Sequence, residues 1–344
     1  MKNTKMISLL VPIISVILAF LIGCIIMAAL SANPAVALQA LWKGAFGSVR
    51  NIGTTLSRST PLIFTGLCAC FAYKCGVFNL GGEGQFIMGS VVCTVIATQC
   101  GFTGLPAIII CLIAGAVAGG LWAMIPGVLK VYRGQNEMII SIMMNYILFT
   151  NWLRDGSVPQ TIAVPDGTRL TRLFGLRATS AFIIAIAVGL IVYYFLFNTS
   201  KGFQLRAVGF NMTAAKFNGF AVEKYFLFSF LISGMIAGLG GSAEILGTQF
   251  FLINGYAAGY GFDGVSMALI GQLHPIATML VAIFFAALRV GSTTMQAATG
   301  VPTSVSDIIQ ALVIVFTVAG LALVKLPEFK AFTDRVFAKK KEVA

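Results

Sequence analysis

Apolar residues fill this chain in long blocks separated by short polar stretches. A helix needs about 20 apolar residues to cross a hydrocarbon core about 30 Å thick, and the first block, 7–30, supplies 24 residues with no charge among them. Comparable blocks follow at 55–73, 83–100, 104–129, 137–153, 179–197, 225–246, 263–273, 275–291 and 304–324. The pattern predicts an all-α fold: a polytopic transmembrane helical bundle of about 10 spans. The block at 263–273 is too short to cross alone. Lys2 and Lys5 precede the first block as in a secretory leader, but its apolar run exceeds the ~7–15 residues of a leader's apolar core, so it reads as a retained helix.

The polar stretches between blocks divide what reads as one transmembrane domain, 1–344. Residues 31–54 form an outer interfacial segment in which Asn33 caps a helix, Pro34 opens it, and Trp42 and Phe46 sit at the headgroup level. Residues 154–180 form an external loop with Arg154, Arg169, Arg172 and Arg177, long enough to be a docking surface. In the cytoplasmic segment 198–224, Asn211 caps a short helix through Phe217 and Gly219 stops it. Phe203, Phe210, Phe217 and Phe220 make that segment apolar enough to want a partner. Residues 325–344 are a basic cytoplasmic tail, solvated or resting on lipid headgroups.

Composition removes the soluble classes. With 58% hydrophobic and 10% charged residues and a mean hydropathy of +0.94, there is too little polar surface to cover a globule. The net charge of +12 does not make one nucleic-acid patch, because the basic residues sort by loop. With the N-terminus cytoplasmic, 15 of the 23 Lys and Arg fall on the inner side, which places both termini in the cytoplasm. The seven cysteines lie mostly in apolar blocks without metal-ligand spacing and read as packing residues.

Against this background the stretch GVFNLGGEGQFIMG, 76–89, is conspicuous. Its glycines allow close backbone approach in a bundle interior. Asn79 would cap a helix beginning there and Glu83 would oppose the positive end of its dipole. Glu83 either lines a functional path or stabilises a helix end at the interface. In GQNEMIISIMMNYI, 134–147, Glu137 and Asn145 are eight residues apart and share a helix side. They either line a polar path with Gln135 and Asn136 or serve as an interface residue and an interhelical hydrogen bond. FNLGGEGQFIMG from Phe78 and FDGVSMALIG from Phe262, entered from opposite sides, either form a faint inverted repeat, of the kind whose interrupted helices meet near the midplane, or match by chance over a short stretch. Glu244, Asp263, Gln272, His274 and Asp307 complete the unusual polar set, with His274 before Pro275 read as a turn residue. No metal or catalytic arrangement and no phosphate-binding loop of the form GxxxxGK[ST] is present, so any ATP and Mg would bind another chain, and this chain binds no cofactor.

The stretches GVFNLGGEGQFIMG, GQNEMIISIMMNYI, RAVGFNMTAAKFNGF and GYGFDGVSMALIGQLHP, in this order, resemble the permease subunits of bacterial ABC importers. The family is that of ribose and branched-chain amino acid permeases, and the likeness is strongest to its nucleoside branch, often described as simple-sugar permeases. The resemblance implies a multi-pass protein of the bacterial plasma membrane that is a transporter subunit and not an enzyme. It implies a second permease subunit, in this branch commonly a related, non-identical chain, with two cytoplasmic ATPases and an extracytoplasmic substrate-binding protein. The family's coupling motif falls on Arg206, Gly209, Asn211, Ala214, Ala215 and Gly219. The substrate-path candidates are Phe78, Asn79, Glu83, Gln85, Asn136, Glu137, Asn145, Phe262 and Asp263, and those for binding-protein docking are Arg154, Arg169, Arg172 and Arg177. The expected function is nucleoside import by alternating access, with a ribose-like sugar importer and an ion-coupled secondary transporter as alternatives.

Overall fold

The computed structural model describes residues 2–101, 103–146, 160–173, 177–253, 255–257, 259–326 and 329, with backbone alone for 2–9 and 325. Among the described residues the chain is helical: α1 (Lys2–Ala29), α2 (Pro34–Phe46), α3 (Val49–Lys74), α4 (Gly82–Gln99), α5 (Leu105–Arg133), α6 (Glu137–Tyr146), α7 (Ser180–Asn198), α8 (Ser200–Phe210), α9 (Met212–Phe217), α10 (Val222–Glu244), α11 (Tyr260–Ile270), α12 (Pro275–Thr299) and α13 (Ser304–Lys325). A π-helical turn, Ile245–Gln249, extends α10. Among the described residues, extended pairing is limited to two isolated bridges, Gln160 with Ile253 and Arg172 with Thr179.

Six of these helices are long and apolar enough to cross a membrane: α1, α5, α7, α10 with its π turn, α12 and α13. Helix α3 has the length, but Arg50, Asn51, Thr54, Thr55, Ser57 and Arg58 crowd its first half. It also begins six residues earlier than the apolar block suggests, because the Ser48 hydroxyl accepts the Asn51 amide at 3.1 Å and caps it. Helix α12 continues eight residues past the expected 291. The block expected at 137–153 is helical to Tyr146, and 147–153 lie outside the described residues, as do Arg154 and the tail beyond 329. The cap at Asn33 forms as expected, its Oδ1 accepting the Ala35 amide at 3.0 Å.

The chain divides into two compact units, 1–45 with 288–344, and 46–287. In the first, α1 packs on α13 and α2 on the end of α12, each through glycine. A Cβ on Gly23 would lie 2.6 Å from Ile309 Cδ1, and one on Gly291 3.0 Å from Leu41 Cγ. In the second, α4, α5 and α10 meet along stripes of small residues: Gly115, Gly119 and Ala123 on α5, and Gly234, Gly238 and Ser242 on α10. The i, i+4 spacing puts each stripe on one helix face, which lets two backbones touch. A Cβ on Gly119 would stand 2.7 Å from Gly238 Cα, one on Gly115 2.8 Å from the Gly89 carbonyl, and one on Gly89 would overlap the Gly238 backbone. Real Cβ contacts are not that short, so these positions exclude every other residue.

Candidate functional site

The second unit brings two helix N-termini together. Helix α3 ends at Lys74, Gly76 reverses the chain at φ +76°, and 77–81 run without regular structure to the start of α4. Helix α11 starts after Gly259, which sits at φ +88°. The starts of α4 and α11 touch: a Cβ on Gly261 would stand 2.7 Å from Glu83 Cβ. Each helix carries a carboxylate in its first turn, Glu83 and Asp263, where the helix dipole favours negative charge. Glu83 Oε2 accepts the Gly259 amide at 2.9 Å, so the first turn of α4 supplies the cap that α11 lacks in its own sequence.

Behind this junction lies a buried polar cluster. Asn79 and Gln85, each 1% exposed, exchange two hydrogen bonds: Asn79 Nδ2 donates to Gln85 Oε1 at 3.0 Å and Gln85 Nε2 donates to Asn79 Oδ1 at 2.9 Å. Asn79 Nδ2 also donates to Ser233 Oγ of α10 at 2.9 Å, and Asn79 Oδ1 accepts the Gly81 amide at 3.0 Å. This corrects the expectation that Asn79 caps the helix. The cap position is Gly81 and has no side chain to offer. Three glycines in six residues delay helix formation, and Asn79 is drawn into the cluster.

The cap for α4 comes from another helix. Asn145 Oδ1 accepts the Gly84 amide at 2.8 Å, and its Nδ2 donates to the Leu80 carbonyl at 3.1 Å. Gly84 leaves room for this, since a Cβ there would stand 2.9 Å from Asn145 Oδ1. Glu137, Ser141 and Asn145 are buried on one face of α6, as their spacing implies. Asn136 is exposed and its Oδ1 accepts the Met138 amide at 3.0 Å, which starts α6. Glu137 is ion-paired with Lys130, in the last turn of α5. Gly134, at φ +64°, reverses the chain between them.

That ion pair gives a test. Lys130→Met leaves the buried Glu137 carboxylate without its counter-ion, which costs about 3 kcal/mol, whereas Lys130→Met with Glu137→Gln removes both charges and costs far less. Thermal unfolding in detergent distinguishes the two. Equal losses in the single and double variants would mean that the pair is not energetically linked.

Phe78 and Phe262, which open the two similar stretches, are 45% and 42% exposed. Phe78 stacks at 4.9 Å from Tyr73. Gln272 and His274 lie in the turn between α11 and α12 and Asp307 is in the first turn of α13. Glu244 is buried, and its Oε2 has no hydrogen-bond partner among the described residues.

The segment 198–220 folds as a hook of two short helices. Thr199 caps α8 through the Gly202 amide at 3.0 Å, and Asn211 caps α9 through the Ala214 amide at 3.0 Å. Gly219, at φ +78°, ends the hook, with open space where a side chain would project. Ala215 is buried while Ala214 is exposed. Phe210 and Phe217 are 87% and 88% exposed, and a groove of about 440 Å³ beside Phe210 is lined by Arg206, Asn211 and Ala214 among others.

The arginines of the outer segment divide by role. Arg169 is ion-paired with Asp166, donates to the Val164 carbonyl at 3.0 and 3.1 Å, and lies 4.5 Å from the centre of the Phe250 ring. It fastens 160–173 onto the turn after α10, where Val164 N–H also donates to the Phe250 carbonyl at 2.7 Å. Arg172 and Arg177 are exposed and, with Arg58 of α3, line a cavity of about 350 Å³ floored by Thr54, Ser57 and Thr248. Sequence reading missed Arg58, Lys130 and Ser233. Lys130 was findable, because the chain reversal at Gly134 brings the end of α5 beside the start of α6.

Comparison with known proteins gives consistent matches. The family described as branched-chain amino acid transport system / permease component matches residues 51–318. The chain is 37% identical to the guanosine ABC transporter permease protein NupP of Bacillus subtilis, covering 92% of this chain and 94% of that protein. It is 32% identical to the glucose ABC transporter permease protein TsgB13 of Haloferax volcanii, covering 89% and 86%. It is 31% identical to the nucleoside ABC transporter permease protein NupB of Lactococcus lactis, covering 98% and 99%. No solved structure matches.

Proposed function

Since the chain belongs to the family of permease components of branched-chain amino acid transport systems, we propose that it is one of two permease subunits of a plasma-membrane importer of nucleosides, driven by ATP hydrolysed on a separate chain. The observation that carries the reading is its similarity over nearly its whole length to permeases named for guanosine and nucleosides. The geometry supplies the parts. The hook α8–α9 presents Phe210 and Phe217 as a grip for a cytoplasmic ATPase, since large exposed aromatics on a short capped hook need a partner to cover them. The junction of α4 and α11 is the gate region of a path in which Glu83, Asn136, Glu137, Asn145 and Asp263, with the exposed rings of Phe78 and Phe262, meet the solute or hold those that do. Both termini lie in the cytoplasm, and the partner permease is a related chain. A simple-sugar importer is the second reading, favoured by the similarity to TsgB13.

Uptake in cells expressing the complete transporter tests this. Labelled guanosine is expected to accumulate and glucose is not. Accumulation of glucose with no guanosine uptake would select the second reading. Uptake that survives ATP depletion and collapses with the ion gradient would replace both with an ion-coupled transporter. The hook is tested separately: Phe210→Ser with Phe217→Ser is expected to lower ATPase co-purification at least tenfold. On the outer side, Arg172→Glu with Arg177→Glu is expected to weaken capture of the binding protein about tenfold at low salt, with Arg169 left intact as a structural residue.

A further inference from the structure

Helix α8 packs against the turn that leads into α4 and is linked, through Phe197 of α7, to the turn that ends α11. On one side, Gly209 packs against the end of α3. A Cβ there would stand 2.9 Å from Cys75 C and 3.0 Å from Gly76 N, and Gly76 opens the passage to α4. On the other side, the Arg206 guanidinium lies 4.9 Å from the centre of the Phe197 ring, on α7. Lys74 Nζ lies 5.7 Å from the same ring. The His274 ring sits 5.3 Å from Phe197 and 5.4 Å from Tyr193, one helical turn earlier. Among the described residues Arg206 Nε is buried without a hydrogen-bond partner, and the Phe197 ring face is the contact that receives the guanidinium.

His274 belongs to the turn that ends α11. The two residues before it, Gln272 and Leu273, have φ of +54° and +56°, left-handed backbone in residues that rarely adopt it. Such backbone persists only where the surroundings over-determine it, here through the backbone hydrogen bonds of Gln272, Leu273 and His274 to Leu269, Ala268 and Gly271 and through the packing of the His274 ring. The packing that holds it includes Phe197 and Tyr193 through His274.

We propose that Phe197 and His274 are positioning residues that carry the movement of α8 into the strained α11–α12 turn. This rests on the reading of α8–α9 as the ATPase grip. A shift of α8 then reaches the Glu83–Gly259 junction from both ends, through Gly209 and Gly76 into α4 and through Arg206, Phe197 and His274 into α11. The ring cluster is suited to the task because a cation on an aromatic face keeps contact while it slides, which a directional hydrogen bond does not.

The test uses the complete transporter with Phe197→Leu, Phe197→Tyr and His274→Gln, reading ATPase co-purification, ATP hydrolysis and solute taken up per ATP. Phe197→Leu is expected to keep co-purification and hydrolysis within twofold and to lower uptake per ATP at least tenfold. Phe197→Tyr, which keeps the ring, is expected to restore it. His274→Gln is expected to lower it in the same sense, and Phe197→Leu with His274→Gln to be no worse than Phe197→Leu alone. Unchanged uptake per ATP in Phe197→Leu overturns the proposal, as does a loss that Phe197→Tyr leaves in place. Loss of co-purification in Phe197→Leu also overturns it, by making Phe197 part of the grip. The grip reading fails by a different result, undiminished co-purification in Phe210→Ser with Phe217→Ser.

Discussion

Gly238→Val leaves no folded protein in the membrane. Gly238 sits where α4, α5 and α10 cross, and a Cβ on it would stand 2.9 Å from Gly119 Cα and 3.1 Å from Gly119 N, with the Gly115 carbonyl closer still. Those atoms are helix backbone and have no rotamer to change, so relief requires whole helices to move apart. Overpacking against side chains costs about 1–3 kcal/mol, and separating two backbone-to-backbone contacts exceeds that. The loss is enough to unfold a marginally stable bundle. Size-exclusion chromatography of a fluorescently tagged chain reads the outcome, with Ile113→Val on the exposed face of α5 as the control. A monodisperse Gly238→Val chain melting with the wild type would mean that the three helices do not cross as described.

Asn145→Leu is the second large effect, and it acts through two orphaned groups. The substitution keeps the approximate volume but strips the Gly84 amide of its acceptor and the Leu80 carbonyl of its donor. Each unsatisfied buried backbone group costs about 1–3 kcal/mol, so a loss of about 3 kcal/mol is expected together with loss of transport. Asn145→Asp separates the two bonds. It keeps the acceptor for Gly84 and adds negative charge at the positive end of α4, but it turns a carboxylate oxygen toward the Leu80 carbonyl and buries a charge with no counter-ion. Both variants are expected to be less stable than the wild type by thermal unfolding in detergent, and the loss in Asn145→Asp is expected to shrink as the pH is lowered and the new carboxyl is protonated, while that in Asn145→Leu is not. Asn145→Leu with wild-type stability would remove the interhelical cap from the account.

Much of the fold could be read from the chain. Apolar block length placed α1, α4, α7 and α13 to within a few residues, apart from the first turn of α1, because nothing in those stretches competes with the helix. It failed at α3, where a polar first half sits inside a helix that the Ser48 cap starts early. Hydropathy reports preference for lipid, and capping reports where a helix begins. Phe217 and Gly219 were legible as the end of the hook because a local signal, glycine at positive φ, decides it. The candidate site was legible in composition but not in connection. Asn79, Glu83, Gln85 and Asn145 stand out in the sequence, yet beyond its bonds to Gln85 Asn79 reaches Ser233, and Glu83 engages Gly259, 154 and 176 residues away. No local pattern encodes such pairs. The small-residue stripes show the same divide, for spacing reveals that Gly115 and Gly119 want a close neighbour but not that Gly238 provides it.

The borrowed caps also govern the order in which this protein can mature during synthesis. Helix α4 leaves the ribosome with a bare start, and the asparagine that closes it follows 61 residues later. The amide that engages Glu83 emerges later still. Lipid offers no hydrogen bonds to an open helix end, so the nascent chain has to keep this region beside water or a chaperoning surface until most of its length has been made. A ribosome stalled before Gly259 would therefore release a product whose centre is unfinished, an intrinsic mark by which quality-control proteases can tell an incomplete chain from a complete one.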